Sequence, residues 1–222
     1  MNALPLRWPI ICSVLAFVGL AQAEPFVEVA GGYTTFKQYK QDGARFYQDA
    51  FPSSAHMSST SGRIGIGNKI NDRWDYTVSW LVIGNNSIDA QFVSDADYDP
   101  STHTCLANCD KPMQVRAYGD GRGPEMAFRY NFEHVYLRSG LFLWLTQLHV
   151  QVWDEGDKNK EYRWHTAQHW MLTPFLGVGA RYKMKGFELF ADVSYYRAVE
   201  TNGGYPLAKQ AIVPMLGVRA TF

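Results

Sequence analysis

From Glu24 onward, apolar residues alternate with polar or small residues instead of recurring at helical spacing. In the first segment Val27, Val29 and Tyr33 share one parity, and Glu28 and Thr34 take the other. Because successive side chains of a β-strand point to opposite faces, this pattern predicts a strand with one apolar face. The pattern recurs seven more times, so eight strands are predicted. The later segments are 63–70, 74–82, 125–130, 135–146, 172–182, 187–195 and 212–222.

The connections between these segments alternate in length. Three are short and rich in Asn, Asp or Gly, as tight turns are: 71–73, 131–134 and 183–186. Four are long and polar: about 37–57, 85–122, 154–167 and 197–209. Short links at one end and long loops at the other predict an all-β, eight-stranded antiparallel up-and-down transmembrane barrel, with the turns in the periplasm. No linker or repeat indicates a second domain.

The fifth segment departs from clean alternation. Phe142 and Trp144 fall on its polar parity. Either a bulge shifts the parity there, or bulky side chains fill the barrel interior, and the pattern does not choose between the two.

The polar parity carries most of the charge of the predicted strands. In a membrane barrel this face lines a narrow interior and its charges form ion pairs. In a soluble barrel around an apolar ligand the same face is a solvated surface, so the charges alone leave both open. The residues are Glu28, Arg63, Lys69, Asp75, Glu125, Arg129, Arg138, Arg181, Glu188, Asp192 and Arg219.

Aromatic residues on the apolar parity favour the membrane interpretation, because they gather near both ends of the segments, as interfacial girdles do. Near the short turns lie Trp74, Tyr76, Tyr130, Tyr182, Phe187 and Phe222, and near the long loops lie Tyr33, Trp153, Trp164, Trp170 and Tyr195. The chain also stops inside a strand, at Phe222, with Ile212, Leu216, Val218 and Ala220 on the same side.

The first 23 residues are predicted to be a cleavable secretory signal. Arg7 precedes an apolar run from Ile10 to Leu20, which is too short to span a bilayer, and Ala21-Gln22-Ala23 provides an A-x-A cleavage site. The barrel domain is then 24–222. Loss of Arg7 leaves 20 basic against 21 acidic residues. Without a basic excess, nucleic acid is not an expected partner.

With its signal, eight alternating strands and terminal Phe222, the sequence resembles the small OmpA/OmpX/OmpW-type outer-membrane β-barrels of Gram-negative bacteria. The resemblance implies residence in the cell outer membrane, among its lipids and lipopolysaccharide. It also implies that the outer-membrane assembly machinery reads Phe222 as a signal. It implies no cofactor, and we expect a monomer.

Function is expected at the loops or the wall, because an eight-stranded lumen is only wide enough for side chains. The first expectation is a non-enzymatic barrel acting in envelope integrity, surface interaction or passage of small apolar molecules. An alternative is a lipid A-modifying hydrolase, because His56 and Ser58 share a strand face as a base and nucleophile must. This pair is similar to the H-x-S pair of the lipid A deacylase family. A secreted soluble barrel binding an apolar ligand is the third candidate.

Two cysteines remain after signal cleavage. Cys105 and Cys109 lie close together between Pro100 and Pro112, and in an exported protein such a pair predicts a disulfide. A metal site with His103 and Asp110 is the alternative, but it lacks a second pair of ligands at finger-like spacing. No metal is therefore expected. Mass spectrometry of the unreduced protein tests the prediction, which two free thiols would contradict.

Overall fold

In a computed structural model, the described residues are 24–38, 51–92, 98–99, 104–105, 113–154, 161–199 and 208–222. They form eleven strands. These are β1 (Pro25–Gln38), β2 (Phe51–His56), β3 (Ser58–Lys69), β4 (Trp74–Phe92), β5 (Tyr98–Asp99), β6 (Thr104–Cys105), β7 (Met113–Asn131), β8 (Val135–Asp154), β9 (Glu161–Met184), β10 (Phe187–Arg197) and β11 (Ala208–Thr221). Within these ranges, no helix has the length and apolarity needed to cross a membrane.

Eight of the strands form a closed antiparallel circuit. The order is β1-β3-β4-β7-β8-β9-β10-β11, and β11 pairs with β1 from Phe26↔Thr221 onward. The predicted eight-stranded up-and-down barrel is therefore confirmed. β2 continues the second barrel strand beyond Met57 and pairs with β4, whereas β5 and β6 form a small separate hairpin.

Short turns join the barrel strands at one end, as predicted. In the first of them, the Asn71 side-chain oxygen accepts hydrogen bonds from the backbone N–H groups of Arg73 and Trp74, both at 2.9 Å. This is the local bonding by which Asn favours turns. The last turn contains Gly186 at φ 84°, a conformation that glycine adopts without steric cost.

The apolar parity faces outward around the barrel. Ile66 is 65% exposed and Leu216 is 71% exposed, whereas Glu28 and Asp192 are each 3% exposed. A soluble protein of this size does not cover its outside with aliphatic side chains and bury its carboxylates. The third candidate, a soluble barrel with an apolar interior, is therefore wrong.

Several strands are longer than the sequence pattern predicted. β4 and β7 have 19 residues, β8 has 20 and β9 has 24, whereas about 9–11 residues span a bilayer. Pairing of β4 with β7 continues as far as Phe92↔Met113, inside the predicted loop 85–122. β2 likewise lies inside the predicted loop 37–57. Apolar side chains stop alternating with polar ones at the membrane surface. The strands continue beyond it, because backbone pairing does not require apolar side chains.

The extra length lies on one side of the barrel. β10 has 11 residues, and β1 and β11 have 14 each. The long strands are neighbours, and their ends form a wall segment beyond the bilayer that we call the upper ridge. It comprises 51–56, 85–92, 113–120, 147–154 and 161–169.

A β-bulge interrupts β4 where the upper ridge begins. The register between β4 and β7 shifts between Val82 and Gly84, and Gly84 has φ 74°. A Cβ atom at Gly84 would lie 2.3 Å from the carbonyl oxygen of Thr60 and 2.6 Å from Cβ of Ser59. This position therefore requires glycine for both its conformation and its close approach to β3.

We expect Gly84→Ala to lower the free energy of unfolding by at least about 1–3 kcal/mol, the usual cost of a strained backbone, with the steric contact in addition. Gly31→Ala is the control, because Gly31 faces outward with nothing within 4 Å of its ideal Cβ position. Urea unfolding of the barrel in liposomes, followed by tryptophan fluorescence, measures both. Equal transition midpoints for the two variants would contradict the requirement.

Candidate functional site: the lumen and the barrel wall

Among the residues that the structure describes, ten charged side chains lie in the lumen, in equal numbers of each sign. Five are carboxylates and five are guanidinium groups, so the set is neutral when all are ionised. Each lies on the inward parity of its strand. They are Glu28, Arg63, Asp75, Glu125, Arg129, Arg138, Arg181, Glu188, Asp192 and Arg219.

Lys69, the eleventh residue of the predicted lumen set, lies at the periplasmic mouth. Its ammonium group donates a hydrogen bond to the Glu24 carboxylate, and both side chains are exposed. This hydrogen bond and the charge of Lys69 lower the pKa of Glu24, which precedes β1. The pair therefore borders the lumen without being buried in it.

Arg129 and Arg219 organise the periplasmic part of the lumen. Arg129 donates to Asp75 Oδ2 at 3.0 Å and to Glu188 Oε1 at 2.8 Å. Arg219 approaches the same Asp75 oxygen at 3.2 Å and donates to Glu28 at 2.8 Å. Each arginine thus bridges two carboxylates, which links five strands of the barrel: β1, β4, β7, β10 and β11.

Arg181 closes this layer next to the periplasmic turn. It donates to the Asn131 side-chain oxygen at 2.8 Å and to the Phe132 carbonyl at 2.6 Å, and its Nη1 atom lies 3.6 Å from Glu188 Oε2. Asn131 in turn donates to Asp75 at 2.7 Å. Neutral groups therefore supply much of the bonding of Arg181.

Arg63 and Arg138 form the middle layer. Arg63 lies 3.2 Å from Glu28 Oε1 and donates to Asp192 Oδ2 at 2.9 Å. Arg138 donates to Glu125 Oε1 at 2.5 Å and lies 3.5 Å from Asp192 Oδ1. Glu28 belongs to both layers, so the ion pairs form one connected network.

Two tyrosines extend the network. Tyr196 donates to Glu125 Oε2 at 2.5 Å, and Tyr136 donates to Asp192 Oδ2 at 3.1 Å. Both lie on the polar parity of their strands, which is the signal that could have identified them. The predicted lumen set contains only the charged residues of that face, so it does not include these two tyrosines.

The four most deeply buried arginines also stack against aromatic rings, so each cation is covered by π-electron density as well as by carboxylates. The pairs are Arg63 with Phe190, Arg129 with Tyr136, Arg138 with Phe175 and Arg219 with Phe26, at guanidinium-to-ring distances of 5.7, 4.5, 4.9 and 3.6 Å.

An aromatic plug lies beyond the middle layer, toward the long loops. Phe142 is fully buried and contacts Trp144 and Tyr196, with ring centroids 6.0 and 5.7 Å apart. Phe175 stacks on Tyr196 at 4.9 Å, and Phe36 lies 6.3 Å from Trp144. We call the whole ion-pair network the ionic layer, and this layer and the aromatic plug fill the lumen in series.

The plug decides the question left open at Phe142 and Trp144. The pairing of β7 with β8 has the same register at Arg122↔Leu145 and at Glu125↔Phe142, so no bulge lies between these pairs. The side chains of Phe142 and Trp144 point inward and fill the lumen. Gly121 on the neighbouring strand β7 leaves space for one of them, because a Cβ atom there would lie 2.4 Å from Trp144 Nε1.

At the periplasmic mouth, the network ends in a vestibule of about 400 Å³. Its lining includes Lys69, Asp75, Arg129, Arg181 and Arg219. The vestibule is therefore an entrance to the ionic layer.

The outer wall has the surface of a membrane-spanning barrel. Along β4, outward residues from Trp74 to Val82 are mainly apolar and span about 26 Å at ~3.3 Å per residue. With the usual strand tilt this gives roughly 20 Å of height, close to the ~25 Å apolar band of outer-membrane barrels. Transmembrane barrels of this kind reside in outer membranes, and so does this protein.

His56 and Ser58 lie on the outward face, as predicted. Within the described residues, no hydrogen bond joins them. Ser58 Oγ instead accepts a hydrogen bond from the Tyr33 hydroxyl at 2.6 Å. A nucleophilic serine needs a base that takes its proton, whereas Tyr33 is a hydrogen-bond donor to Ser58.

The predicted disulfide joins Cys105 and Cys109. Cys109 and the side chain of Cys105 lie outside the described residues, so the disulfide stays a prediction. The signal segment 1–23 also lies outside. No group of three or more His, Cys, Asp or Glu side chains in the described ranges is placed to hold a metal ion.

Phe222 lies at the end of β11 with its side chain 76% exposed. Its backbone N–H donates to the Pro25 carbonyl at 3.1 Å, which fastens the last residue to β1 where the circuit closes. Its predicted role as an assembly signal stays a prediction.

We expect Arg138→Ala to lower the free energy of unfolding by about 3–5 kcal/mol, because it leaves Glu125 and Asp192 buried with fewer compensating partners. Lys69→Ala removes an exposed ion pair and should cost less than about 1 kcal/mol. Urea titrations of both variants in liposomes provide the measurement. A loss in Arg138→Ala no larger than in Lys69→Ala would contradict the structural role of the network.

Because the two lumen layers lie in series, we expect no single-channel conductance from the protein in planar bilayers. Phe142→Ala should also give none, since the ionic layer stays in place. Discrete current steps from the folded wild-type protein would show that the lumen conducts. A heat-modifiability gel run on each sample confirms that the barrel is folded.

No protein-family model and no curated protein sequence matches this chain. Among solved structures, it is similar to the attachment invasion locus protein Ail of Yersinia pestis, with 12% identity over 91% of this chain and 100% of that one, at a TM-score of 0.40. Neisserial surface protein A has the same identity and coverages, at 0.41. A major outer membrane protein from Thermus thermophilus also shares 12% identity and these coverages, at 0.48.

At this identity such likenesses concern the fold alone. The assignment rests on the strand register, the closed circuit and the outward apolar face. Together these features make the chain an outer-membrane β-barrel with the eight-stranded OmpA/OmpX type of architecture.

Proposed function

We propose that the protein is a non-enzymatic outer-membrane barrel that acts in surface interaction, through the upper ridge and the loops that it supports. The observation that carries the proposal is the length of β4, β7, β8 and β9, which is about twice what the bilayer needs. The paired sheet beyond the membrane presents backbone-ordered surface outside the lipid, where a partner can reach it.

The filled lumen supports a role outside the barrel. Ten charged side chains and an aromatic plug occupy the space through which a solute would pass. Passage of small apolar molecules through the lumen would separate buried ion pairs and offer the charged groups no hydrogen bonds in return, which is unfavourable. Function is therefore assigned to surfaces that face water or lipid.

The geometry at Ser58 argues against the hydrolase alternative. Its hydroxyl already accepts the Tyr33 hydrogen bond, and the described structure pairs no base with it. We expect lipid A from cells producing Ser58→Ala to have the same acylation as lipid A from cells producing the wild-type protein. A difference in acyl-chain number by mass analysis would restore the enzymatic candidate.

Closure of the barrel supports the monomeric state, because every barrel strand is paired on both sides within the bilayer. We propose lipopolysaccharide and outer-membrane phospholipid as the surroundings of the wall. We also propose that the assembly machinery recognises the terminal strand ending at Phe222.

The proposal is tested by shortening the upper ridge without touching the membrane-spanning wall. Residues 89–116 are replaced by Asn-Gly between the paired residues Ile88 and Ala117, and residues 151–164 by Asn-Gly between the paired residues Val150 and His165. Asn-Gly closes two-residue hairpins with the twist that antiparallel strands need.

We expect the shortened barrel to fold and to restore detergent resistance in a deletion strain. We expect it to lose at least about tenfold in whole-cell attachment to surfaces and in cell–cell aggregation, since loss of a surface patch removes most of its binding energy. The full-length gene is the matched control. A shortened variant that restores attachment fully while remaining heat-modifiable would contradict the surface role.

A further inference from the structure

A polar notch opens on the outward side of the barrel, where the upper ridge meets the apolar band. It has a volume of about 500 Å³ and is separate from the periplasmic vestibule. Its lining residues are His56, Ser58, Ser59, Asn85, Asn86, Ser87 and Tyr118. The volume is within the range of small-molecule sites, roughly 300–1,000 Å³.

The notch exists because the second barrel strand is interrupted. Pairing of β3 with β4 ends at Gly62↔Val82, and pairing of β2 with β4 resumes at His56↔Ser87. Between these points one strand has one more residue than the other, and Gly84 takes its left-handed conformation there. The wall is consequently indented at a position that the backbone itself defines.

The lining chemistry is that of a site for neutral polar molecules. Asparagine amides, serine hydroxyls, an imidazole and a phenol supply both hydrogen-bond donors and acceptors, and among the lining residues that the structure describes none is Asp, Glu, Lys or Arg. The vestibule, in contrast, is lined by several charged groups. Sugar hydroxyls, which donate and accept at the same atom, match the notch better than an anion does.

Ser58 is oriented for this role. Because its Oγ atom accepts the hydrogen of the Tyr33 hydroxyl, its own hydrogen remains available to a bound group. The hydrogen bond from Tyr33 therefore leaves the Ser58 hydroxyl as a hydrogen-bond donor in the notch.

The position of the notch indicates where its ligand comes from. On β4, the outward residues of the apolar band end with Trp80 and Val82, both well exposed, and Asn85 follows directly. A lipid whose chains lie against the band would therefore present its headgroup at the notch. We propose that the notch binds the neutral saccharide headgroup of a glycolipid in the outer leaflet.

The test uses isotope-labelled protein purified from the outer membranes of expressing cells, in dodecylphosphocholine micelles. Dodecyl-β-maltoside is added as a sugar attached to an alkyl chain, and free maltose is added in a parallel titration. Amide chemical shifts report where each probe binds and give the dissociation constant. We expect saturable shifts at Ser58, Asn85 and Ser87 with the alkyl maltoside, at concentrations at least about tenfold lower than with maltose, because the alkyl chain adds buried apolar area.

The variant Asn85→Leu should weaken alkyl maltoside binding about tenfold, since it removes hydrogen bonds from the site. Ser58→Ala should weaken it less and serves as a second, conservative variant. Gln147→Leu is the matched control, because Gln147 also faces outward at the ridge but does not line the notch. We expect its affinity to stay within about twofold of wild type.

Each other outcome overturns the proposal in a defined way. Unchanged affinity in both notch variants, with the spectrum of a folded barrel, would show that the notch is not the site. Equal affinity for maltose and alkyl maltoside would assign the site to free glycans instead of lipid. Neither result depends on attachment of whole cells, so the surface role is tested separately.

Discussion

Charge compensation inside a space that bulk water does not fill is the interaction on which this barrel depends. An isolated ionised group in such a space carries a desolvation cost of several kcal/mol. Here five carboxylates meet five guanidinium groups, and most are held by two or more partners. Because the partners come from different strands, the ion pairs that compensate the buried charges also connect the strands of the barrel wall.

The two lumen layers divide the work of filling the barrel. The ionic layer requires exact partners and so specifies which strands face one another. The aromatic plug fills space without specific polar partners. Its rings are in mutual contact, with Phe175 stacked on Tyr196 and Phe142 edge-on to Tyr196. Tyr196 belongs to both layers, since its ring packs in the plug and its hydroxyl donates to Glu125.

Much of the fold could be predicted from alternation alone, because period-two patterning reports directly which side of a strand meets hydrocarbon. Strand number and the two faces of each strand, with residues such as Arg63 and Asp192 on the polar face, follow from it, whereas the up-and-down barrel was predicted from the alternating lengths of the connections. The ends of β4, β7, β8 and β9 could not be predicted, since above the membrane neither face needs to be apolar. The roles of Tyr136 and of Gly84 depend on partners from distant strands, which no single-strand pattern contains.

The unequal strand lengths give the molecule a front and a back within the plane of the membrane. On the flank formed by β10, β11 and β1 the wall is short. On the opposite flank a paired sheet rises well clear of the lipid headgroups. A neighbouring protein that approaches the flank of β4, β7, β8 and β9 meets this raised sheet before the two barrels touch. The contacts that a neighbour makes above the membrane therefore depend on whether it approaches the barrel from this flank.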